Sequence, residues 1–218
     1  MDEIEEKLFG LFGVFCVDAE RQMNEFEQIG LLAGDLEMAI VGAVWIMDIG
    51  KKWVSPPYNI DGWRLDVAAD LGYSNEYNHM FWKEFRKQVK SVNPDVLILA
   101  EHYGDPGEWL QGDQWDSVMN YDAFMEPLTW FLTGMEKHSN ERRTDLWGNA
   151  EIFVNSMKHF MACMLTPSLQ VAMNELSNHD HSRFLTRTNH IAGRVEQLGY
   201  KAAEEGINEA VFCEAVAV

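Results

Sequence analysis

The sequence predicts an α/β protein in which helices cover a parallel sheet, and two observations support this fold class. Short apolar runs alternate along the chain with longer amphipathic segments, an order that produces parallel strands joined by helices. One run, VLILA at residues 96–100, is apolar throughout, which is typical of a strand buried on both faces. Of the 218 residues, 47% are of apolar types, so the composition excludes extended disorder and a disulfide-stapled miniprotein.

Strands and helices can be assigned in order from about residue 60. A helix over residues 74–92 is indicated by apolar side chains at every fourth position, and it ends at residues 93–95 because Pro94 cannot continue a helix. A second helix is expected to begin at an Asp145 cap and to end at Thr166-Pro167. The predicted strands cover residues 60–66, 96–100, 117–121 and 169–176, and helical structure follows from about residue 191.

The first fifty residues carry no motif. Helices are predicted over residues 2–15 and 30–49, although several glycines lower the helix propensity of both segments. No basic region precedes an apolar one at the N-terminus, so no secretory signal is visible. The longest apolar run covers only residues 38–47, whereas a membrane-spanning helix needs ~20 residues. These features predict a cytoplasmic protein without a membrane anchor.

The net charge restricts the expected binding partners, and the cysteine content indicates the redox compartment. Acidic residues outnumber basic ones 35 to 17, and a net charge of −18 repels phosphate groups. Nucleic acid and anionic membranes are therefore not expected partners. The cysteines are odd in number and lie in apolar stretches, so we predict buried thiols in a reducing compartment. They are Cys16, Cys163 and Cys213.

Three carboxylates lie where predicted strands end. Asp66 and Glu101 close their strands and Asp180 follows the last one, and in parallel α/β folds these ends form the ligand face. Glycoside hydrolysis requires two such acids, one that attacks the sugar and one that donates a proton. The apolar strand before Glu101 favours a raised pKa. Arg64, two residues before Asp66, would point to the same side of a strand and keep that carboxylate ionised.

Structural interpretations remain open for the same residues. Strand-end carboxylates commonly cap helices, an Arg64–Asp66 pair can be a simple ion pair, and residues 178–180 can form a turn. The histidines near these carboxylates lack the spacing of a zinc motif such as H-E-x-x-H, so no metal ion and no other cofactor is expected. These histidines are His102, His179 and His181.

Three segments resemble, in order and spacing, signature segments of the α-amylase family of glycoside hydrolases. They are DGWRLDVA at 61–68, ILAEH at 98–102 and LSNHD at 176–180. The surrounding sequence, from about Trp45 onward, is most similar to the neopullulanase, cyclomaltodextrinase and maltogenic amylase branch. The resemblance implies a partial (β/α)8 TIM barrel over residues 45–218, from about the fourth strand to the helix after the seventh. Residues 1–44 would be a helical segment of unclear origin.

The resemblance also implies roles in a hydrolase that cleaves α-linked glucans with retention of configuration. Asp66 stands at the nucleophile position, Glu101 at that of the general acid/base, and Asp180 at that of the third carboxylate. Arg64 matches the arginine beside the nucleophile, and His179 the substrate-binding neighbour of the third carboxylate. Three further residues are candidate sugar contacts, with packing in the core open for each. They are Trp63, His102 and Tyr103.

The sequence also departs from the family pattern. No segment of the Asp-x-x-x-Asn-His type occurs before Trp45, and no eighth strand follows the last helix. We therefore expect self-association through open sheet edges, and little or no amylase activity from residues 1–218 alone. The expected substrate is an α-glucan or maltooligosaccharide. The alternative is a catalytically inactive barrel fragment that binds oligosaccharide or serves as an assembly module.

Overall fold

The computed structural model describes residues 35–72 and 74–218. Contacts divide these residues into two compact units. The first contains residues 35–72, 74–102 and 107–118, and the second contains residues 103–106 and 119–218. The helix predicted over 2–15 and the thiol predicted at Cys16 lie outside the described residues.

The first unit is built on a three-stranded parallel sheet. Its strands are β1 (Gly62–Leu65), β2 (Leu97–Ala100) and β3 (Ser117–Val118), and they lie in that order. Leu65 pairs with Ala100, and Ala100 with Val118, so the three strands end side by side. The parallel pairing predicted for the first three strands is thus confirmed. The predicted strand over 117–121 is shorter than expected, because a π-helical turn begins at Tyr121.

Two α-helices accompany the sheet in the described residues of the first unit. Helix α1 (Asp35–Trp53) precedes β1, and helix α2 (Asn75–Val92) connects β1 to β2. The Ser74 hydroxyl accepts a hydrogen bond from the backbone N–H of Tyr77 at 3.2 Å, which caps the first turn of α2. The helix predicted over 74–92 is confirmed, and its buried apolar side chains are Phe81, Trp82, Phe85 and Val89.

A half-buried acid links α2 to the sheet. Asp116, just before β3, pairs with Arg86 at 2.7 Å and Lys90 at 2.9 Å, and it accepts the backbone N–H of Ile98 at 2.9 Å. Burial alone would raise the pKa of Asp116, but the hydrogen bonds from Lys90, Arg86 and Ile98 outweigh burial and lower it. The helix that follows β1 is therefore fixed against the strands that carry the candidate site.

The second unit is mainly helical. A π-helical turn (Tyr121–Met125) leads into its helices, and its apolar core contains Leu128, Phe184 and Ala215. The helical structure predicted from residue 191 is present as the last three of seven helices in the described part of this unit. In chain order they are α3 (Glu126–Thr133), α4 (Ala150–Met161), α5 (Thr166–Gln170), α6 (Phe184–Arg187), α7 (Val195–Leu198), α8 (Tyr200–Glu204) and α9 (Glu209–Ala217).

The strand predicted over residues 169–176 is wrong. Helix α5 extends to Gln170, and Met173 forms a single parallel bridge with Met119 instead of a strand. Pro167 explains the difference, because proline is well accommodated in the first turn of a helix, where its missing N–H is not needed. The proline that was expected to end a helix thus begins one.

The predicted Asp145 cap is also wrong. Helix α4 begins at Ala150, and the side chain of Asn149 accepts the backbone N–H of Ile152 at 3.2 Å. Asp145 instead pairs with Arg143 at 2.9 Å in the preceding turn. The capping group is therefore four residues later than predicted, because Asp145 is engaged by a neighbouring cation.

The prediction of buried thiols fails in the second unit. Cys213 is exposed and Cys163 is only half-buried. Helix α9 buries Ala215 alone among its residues, so most of its surface, including Cys213, faces outward.

None of the helices in the described ranges combines the length and the apolar character needed to cross a bilayer.

Candidate active site

The ends of β1 and β2 bring two carboxylates and a guanidinium together. Asp66 follows Leu65 and Glu101 follows Ala100, and these preceding residues are paired in the sheet. The Arg64 guanidinium hydrogen-bonds to Asp66 and lies 3.1 Å from a carboxylate oxygen of Glu101. One cation therefore contacts both acids. The spacing of Arg64 and Asp66 on one side of a strand predicted the contact with Asp66, and the structure adds the contact with Glu101.

Glu101 is the more buried of the two acids, with 8% of its surface exposed. Burial raises its pKa above the ordinary value, and a hydrogen bond and the negative charge of Asp66 act in the same direction. The backbone N–H of Val67, which donates to Glu101 at 3.0 Å, and the charge of Arg64 oppose this shift without cancelling it. A carboxyl with a raised pKa is suited to proton donation.

The backbone turns sharply at Val67, directly after Asp66. Val67 has φ 43° and ψ 41°, which is the left-handed region that β-branched residues rarely adopt. This conformation directs its N–H to Glu101. Strained backbone of this kind persists where surrounding contacts hold it, and it is frequent at functional sites.

Side chains of α2 hold the segment that follows Asp66. The amide of Asn78 donates to the carbonyl of Ala68 at 2.9 Å and to that of Leu71 at 3.0 Å, and Trp82 donates to Ala68 at 2.8 Å. Asn78 also accepts from the Trp109 indole at 2.8 Å. Sequence reasoning missed this support. A signal was present, since an asparagine one turn before a tryptophan lies on the buried face of α2.

Two candidate sugar contacts are engaged in packing. Trp63 alternates with Arg64 along β1, so it points to the opposite face, and its indole donates to the Gly50 carbonyl of α1 at 3.2 Å. The His102 ring lies 4.9 Å from Trp109 and 5.8 Å from Trp115. The structure therefore places Trp63 away from the carboxylates, and His102 in an aromatic cluster.

Asp180 and His179 lie on a loop of the second unit. The backbone N–H of Asp180 donates to Asn178 Oδ1 at 2.9 Å, so the turn considered for residues 178–180 is present. The side chain of Asp180 is 49% exposed and lies 3.3 Å from His179 Nε2. Residues 178–180 therefore form a turn, and the Asp180 carboxylate nevertheless remains accessible to a substrate.

Tyr103 belongs to an aromatic cluster of the second unit. Its ring stacks on Tyr121 at 4.4 Å, the Lys137 ammonium lies 4.1 Å from its ring centre, and its hydroxyl hydrogen-bonds to His181 Nε2 at 3.1 Å. The side chain nevertheless remains 41% exposed.

Among the described residues, no group of three or more His, Cys, Asp or Glu side chains is arranged to hold a metal ion.

His181 should make the second unit sensitive to acid. Burial lowers the pKa of His181 to about 3, and the positive charges of His138, Arg187 and Lys137 add to this effect. As the pH falls below about 6.5, the unfolded chain binds a proton that the folded chain rejects, so the free energy of unfolding decreases.

We expect His181→Gln to flatten this loss of stability, measured by urea unfolding at pH 7 and pH 5. The exposed His159, on helix α4, provides a matched control, and His159→Gln should leave the pH dependence unchanged. An equal pH dependence in wild type and His181→Gln would contradict the prediction.

Comparison of the sequence with known protein families agrees with this geometry. The family model for the alpha-amylase catalytic domain matches residues 40–205. The chain belongs to the α-amylase family. The catalytic domain of this family is a (β/α)8 barrel, and the three-stranded parallel sheet is consistent with part of one.

Curated members of the α-amylase family match the chain over about two thirds of its length. It is 41% identical over 144 residues to neopullulanase 2 of Thermoactinomyces vulgaris, covering 65% of this chain and 21% of that protein. It is 34% identical over 154 residues to a maltogenic alpha-amylase of Bacillus acidopullulyticus, covering 71% of this chain and 23% of that protein. The chain thus spans less than a quarter of the length of these relatives.

Solved structures of similar proteins agree with this assignment. The cyclic alpha-maltosyl-(1→6)-maltose hydrolase of Arthrobacter globiformis is 31% identical with a TM-score of 0.54, covering 67% of this chain and 29% of that one. The debranching enzyme of Nostoc punctiforme is 28% identical with a TM-score of 0.57, covering 71% of this chain and 30% of that one. Both neighbours share part of their fold with this chain.

Proposed function

We propose that this chain carries the reacting carboxylates of a retaining α-glucan hydrolase. Asp66 is the nucleophile, Glu101 the general acid/base, and Asp180 the third carboxylate, with His179 as a substrate contact. One observation carries the proposal: the Arg64 guanidinium contacts Asp66 and Glu101 together, while burial raises the pKa of Glu101.

The reaction proceeds in two displacements. Asp66 attacks the anomeric carbon while the bond to the departing oxygen breaks, and Glu101 gives its proton to that oxygen. The product is a glycosyl ester on Asp66. Glu101 then takes a proton from water as the water oxygen attacks the same carbon and releases Asp66. Two inversions give net retention, and this chemistry requires the carboxyl groups to lie ~5–5.5 Å apart, against ~6.5–9.5 Å in an inverting pair.

The electrostatics of Glu101 suit both of its roles. The negative charge of Asp66 helps to raise the pKa of Glu101, which favours the protonated acid that the first step needs. Formation of the ester removes that charge, because an ester is neutral. The pKa of Glu101 then falls, which favours the proton transfer from water in the second step.

The relatives support the substrate class. Their names include cyclomaltodextrinase and maltogenic amylase, so we assign α-1,4 bonds of maltooligosaccharides, cyclomaltodextrins or starch to this chain. An intracellular maltogenic amylase of Bacillus subtilis, 36% identical over 143 residues, supports a cytoplasmic location. In the barrel of the family, the chain would supply the region from the fourth strand to the helix after the seventh.

An inactive fragment is the second candidate. In the described sheet, β1 and β3 are the outer strands and each pairs with β2 on one side. Outer strands with unpaired backbone groups invite association, and positional errors of ~1 Å can cost about a hundredfold in rate. On this account the chain would bind oligosaccharide or assemble with other chains without turning substrate over.

Hydrolysis of maltotriose and a cyclomaltodextrin by the purified chain separates the two candidates. We expect slow turnover, below the ~1–10³ s⁻¹ of ordinary enzymes, and loss of this turnover in Asp66→Asn. Proton NMR of the first product should show the α-anomer. An initial β-anomer would contradict retention, and a rate equal to that of Asp66→Asn would favour the inactive fragment.

A further inference from the structure

The loop that carries Asp180 is held by an element outside every signature segment. Residues 135–142 form a hairpin, closed by an antiparallel bridge between Met135 and Arg142. The carboxylate of Glu136 accepts the backbone N–H groups of His138 at 2.5 Å and Asn140 at 3.3 Å. The hairpin is therefore stabilised in part by its own acid.

The hairpin grips the Asp180 loop through consecutive residues. His138 Nδ1 donates to the backbone carbonyl of Asp180 at 3.0 Å, and its ring lies 5.0 Å from the ring of His181. The hydroxyls of Ser139 and Ser182 hydrogen-bond to each other at 2.7 Å. These contacts join segments about forty residues apart in the chain, at Asp180 and at the two residues that follow it.

A buried arginine fixes the two ends of the same loop. Arg187 is fully buried and donates to the carbonyls of Leu176 at 2.9 Å and Ser182 at 2.7 Å. Burial lowers its pKa to about 10, which leaves it charged at neutral pH. Its hydrogen bonds to Thr129 and to both carbonyls satisfy the buried guanidinium. The ends of the loop are thereby set, and its centre depends on other contacts.

At the centre, both backbone polar groups of Asp180 are engaged. Its N–H donates to Asn178, whose own amide donates to the Tyr121 hydroxyl at 2.8 Å, and its carbonyl accepts from His138. The carboxylate itself is half exposed, and one of its oxygens contacts His179 Nε2. The hydrogen bonds that hold Asp180 in the loop are therefore those of its backbone, while its carboxylate contacts the exposed His179.

We propose that His138 is a positioning residue for Asp180. Its Nδ1–H fixes the peptide after Asp180 and thereby the aim of that carboxylate. The inference rests on the proposed role of Asp180 as third carboxylate. A neutral imidazole with its proton on Nδ1 suffices for this bond, so protonation of the ring is not required.

Two substitutions separate hydrogen bonding from packing at this position. His138→Ala removes the donor and the ring, whereas His138→Asn removes most of the ring but keeps an N–H donor near the Nδ1 position. With an aryl α-maltoside, we expect His138→Ala to lower kcat about 10- to 100-fold, with KM within about threefold of wild type. His138→Asn should restore kcat to within about threefold of wild type by the same argument.

The control is His159→Ala, which truncates an exposed histidine on α4 and should leave kcat unchanged. Hydrogen exchange of amides 178–182, measured on the same variants, should rise in His138→Ala and return in His138→Asn. The inference is overturned if His138→Ala has the kcat of wild type, or if His138→Asn is as slow as His138→Ala. A wild type no faster than Asp66→Asn, with exchange responding as expected, would instead overturn the proposed function.

Discussion

Asp66→Asn is expected to lower maltotriose hydrolysis by about 10³-fold or more, because removal of a nucleophile eliminates the covalent route. Asparagine keeps the shape of the side chain and a partner for Arg64, so the chain should fold as before. The amide lacks the negative charge that attacks the anomeric carbon. Initial rates of reducing-sugar release, compared at equal concentrations of folded protein, measure the effect.

Asp70→Asn is the matched control for this substitution. Asp70 ends the 3-10 turn that follows Asp66, and its side chain is exposed. Its replacement removes the same charge only four residues away, and the rate should stay within about twofold of wild type, as is usual for surface substitutions. If the wild-type chain hydrolysed maltotriose above the uncatalysed rate and Asp66→Asn kept a tenth or more of that activity, Asp66 would not be the nucleophile.

Glu101→Gln is expected to affect substrates according to their leaving group. Hydrolysis of maltotriose should fall about 10²- to 10⁴-fold, the usual contribution of a general acid. The first turnover of α-maltosyl fluoride should fall far less, because fluoride departs without being protonated. Rapid-mixing measurements of fluoride release and of maltose formation give the two rates. Equal losses with both substrates would contradict the role of Glu101 as proton donor.

The same variant tests the electrostatics of Glu101. The acid works only while protonated, and its pKa is raised, so maltotriose hydrolysis should decline on the alkaline side at a pH above the ordinary carboxyl range. Glu101→Gln should lose this decline, since glutamine does not titrate. Glu108→Gln, at an exposed position of the same unit, should retain it.

The paired carboxylates were predictable from the sequence because they depend on local rules. Arg64 and Asp66 share a side through the two-residue repeat of a strand, and Asp66 and Glu101 meet because parallel strands end at one edge. The structure adds what those rules omit. Val67, in its left-handed conformation, donates its N–H to the side chain of Glu101, 34 residues away. Sequence patterns that repeat every two or four residues do not reveal a contact over that distance.

The supporting contacts of Asp180 could not be predicted for a related reason. His138 reaches Asp180 across 42 residues, and Arg187 reaches Thr129 across 58, with no repeat or motif that links them. From the sequence, Arg187 would be assigned to the surface, because arginine is rarely buried. Only the folded structure shows that Arg187 is buried and donates to four oxygens.

The incorrect strand at residues 169–176 has a different origin. A short apolar run is compatible with a buried strand or with a helical turn, and periodicity alone does not distinguish them. Pro167 lies in the first turn of a helix, a position that proline favours, and this decides between the two structures. Met173 then keeps one bridge to Met119, which is all that remains of the expected strand.

Covalent trapping tests the central claim most directly. A 5-fluoro α-maltosyl fluoride keeps a good leaving group, while its ring fluorine slows the second displacement, so the glycosyl ester accumulates. Even a chain about a hundredfold slower than an ordinary enzyme, whose kcat is ~1–10³ s⁻¹, would be labelled within minutes to hours. Peptide mass spectrometry should find one fluoromaltosyl group on the peptide that contains Asp66, and none in Asp66→Asn. A label on Glu101 or Asp180, or a folded wild-type chain that stays unlabelled, would contradict the account.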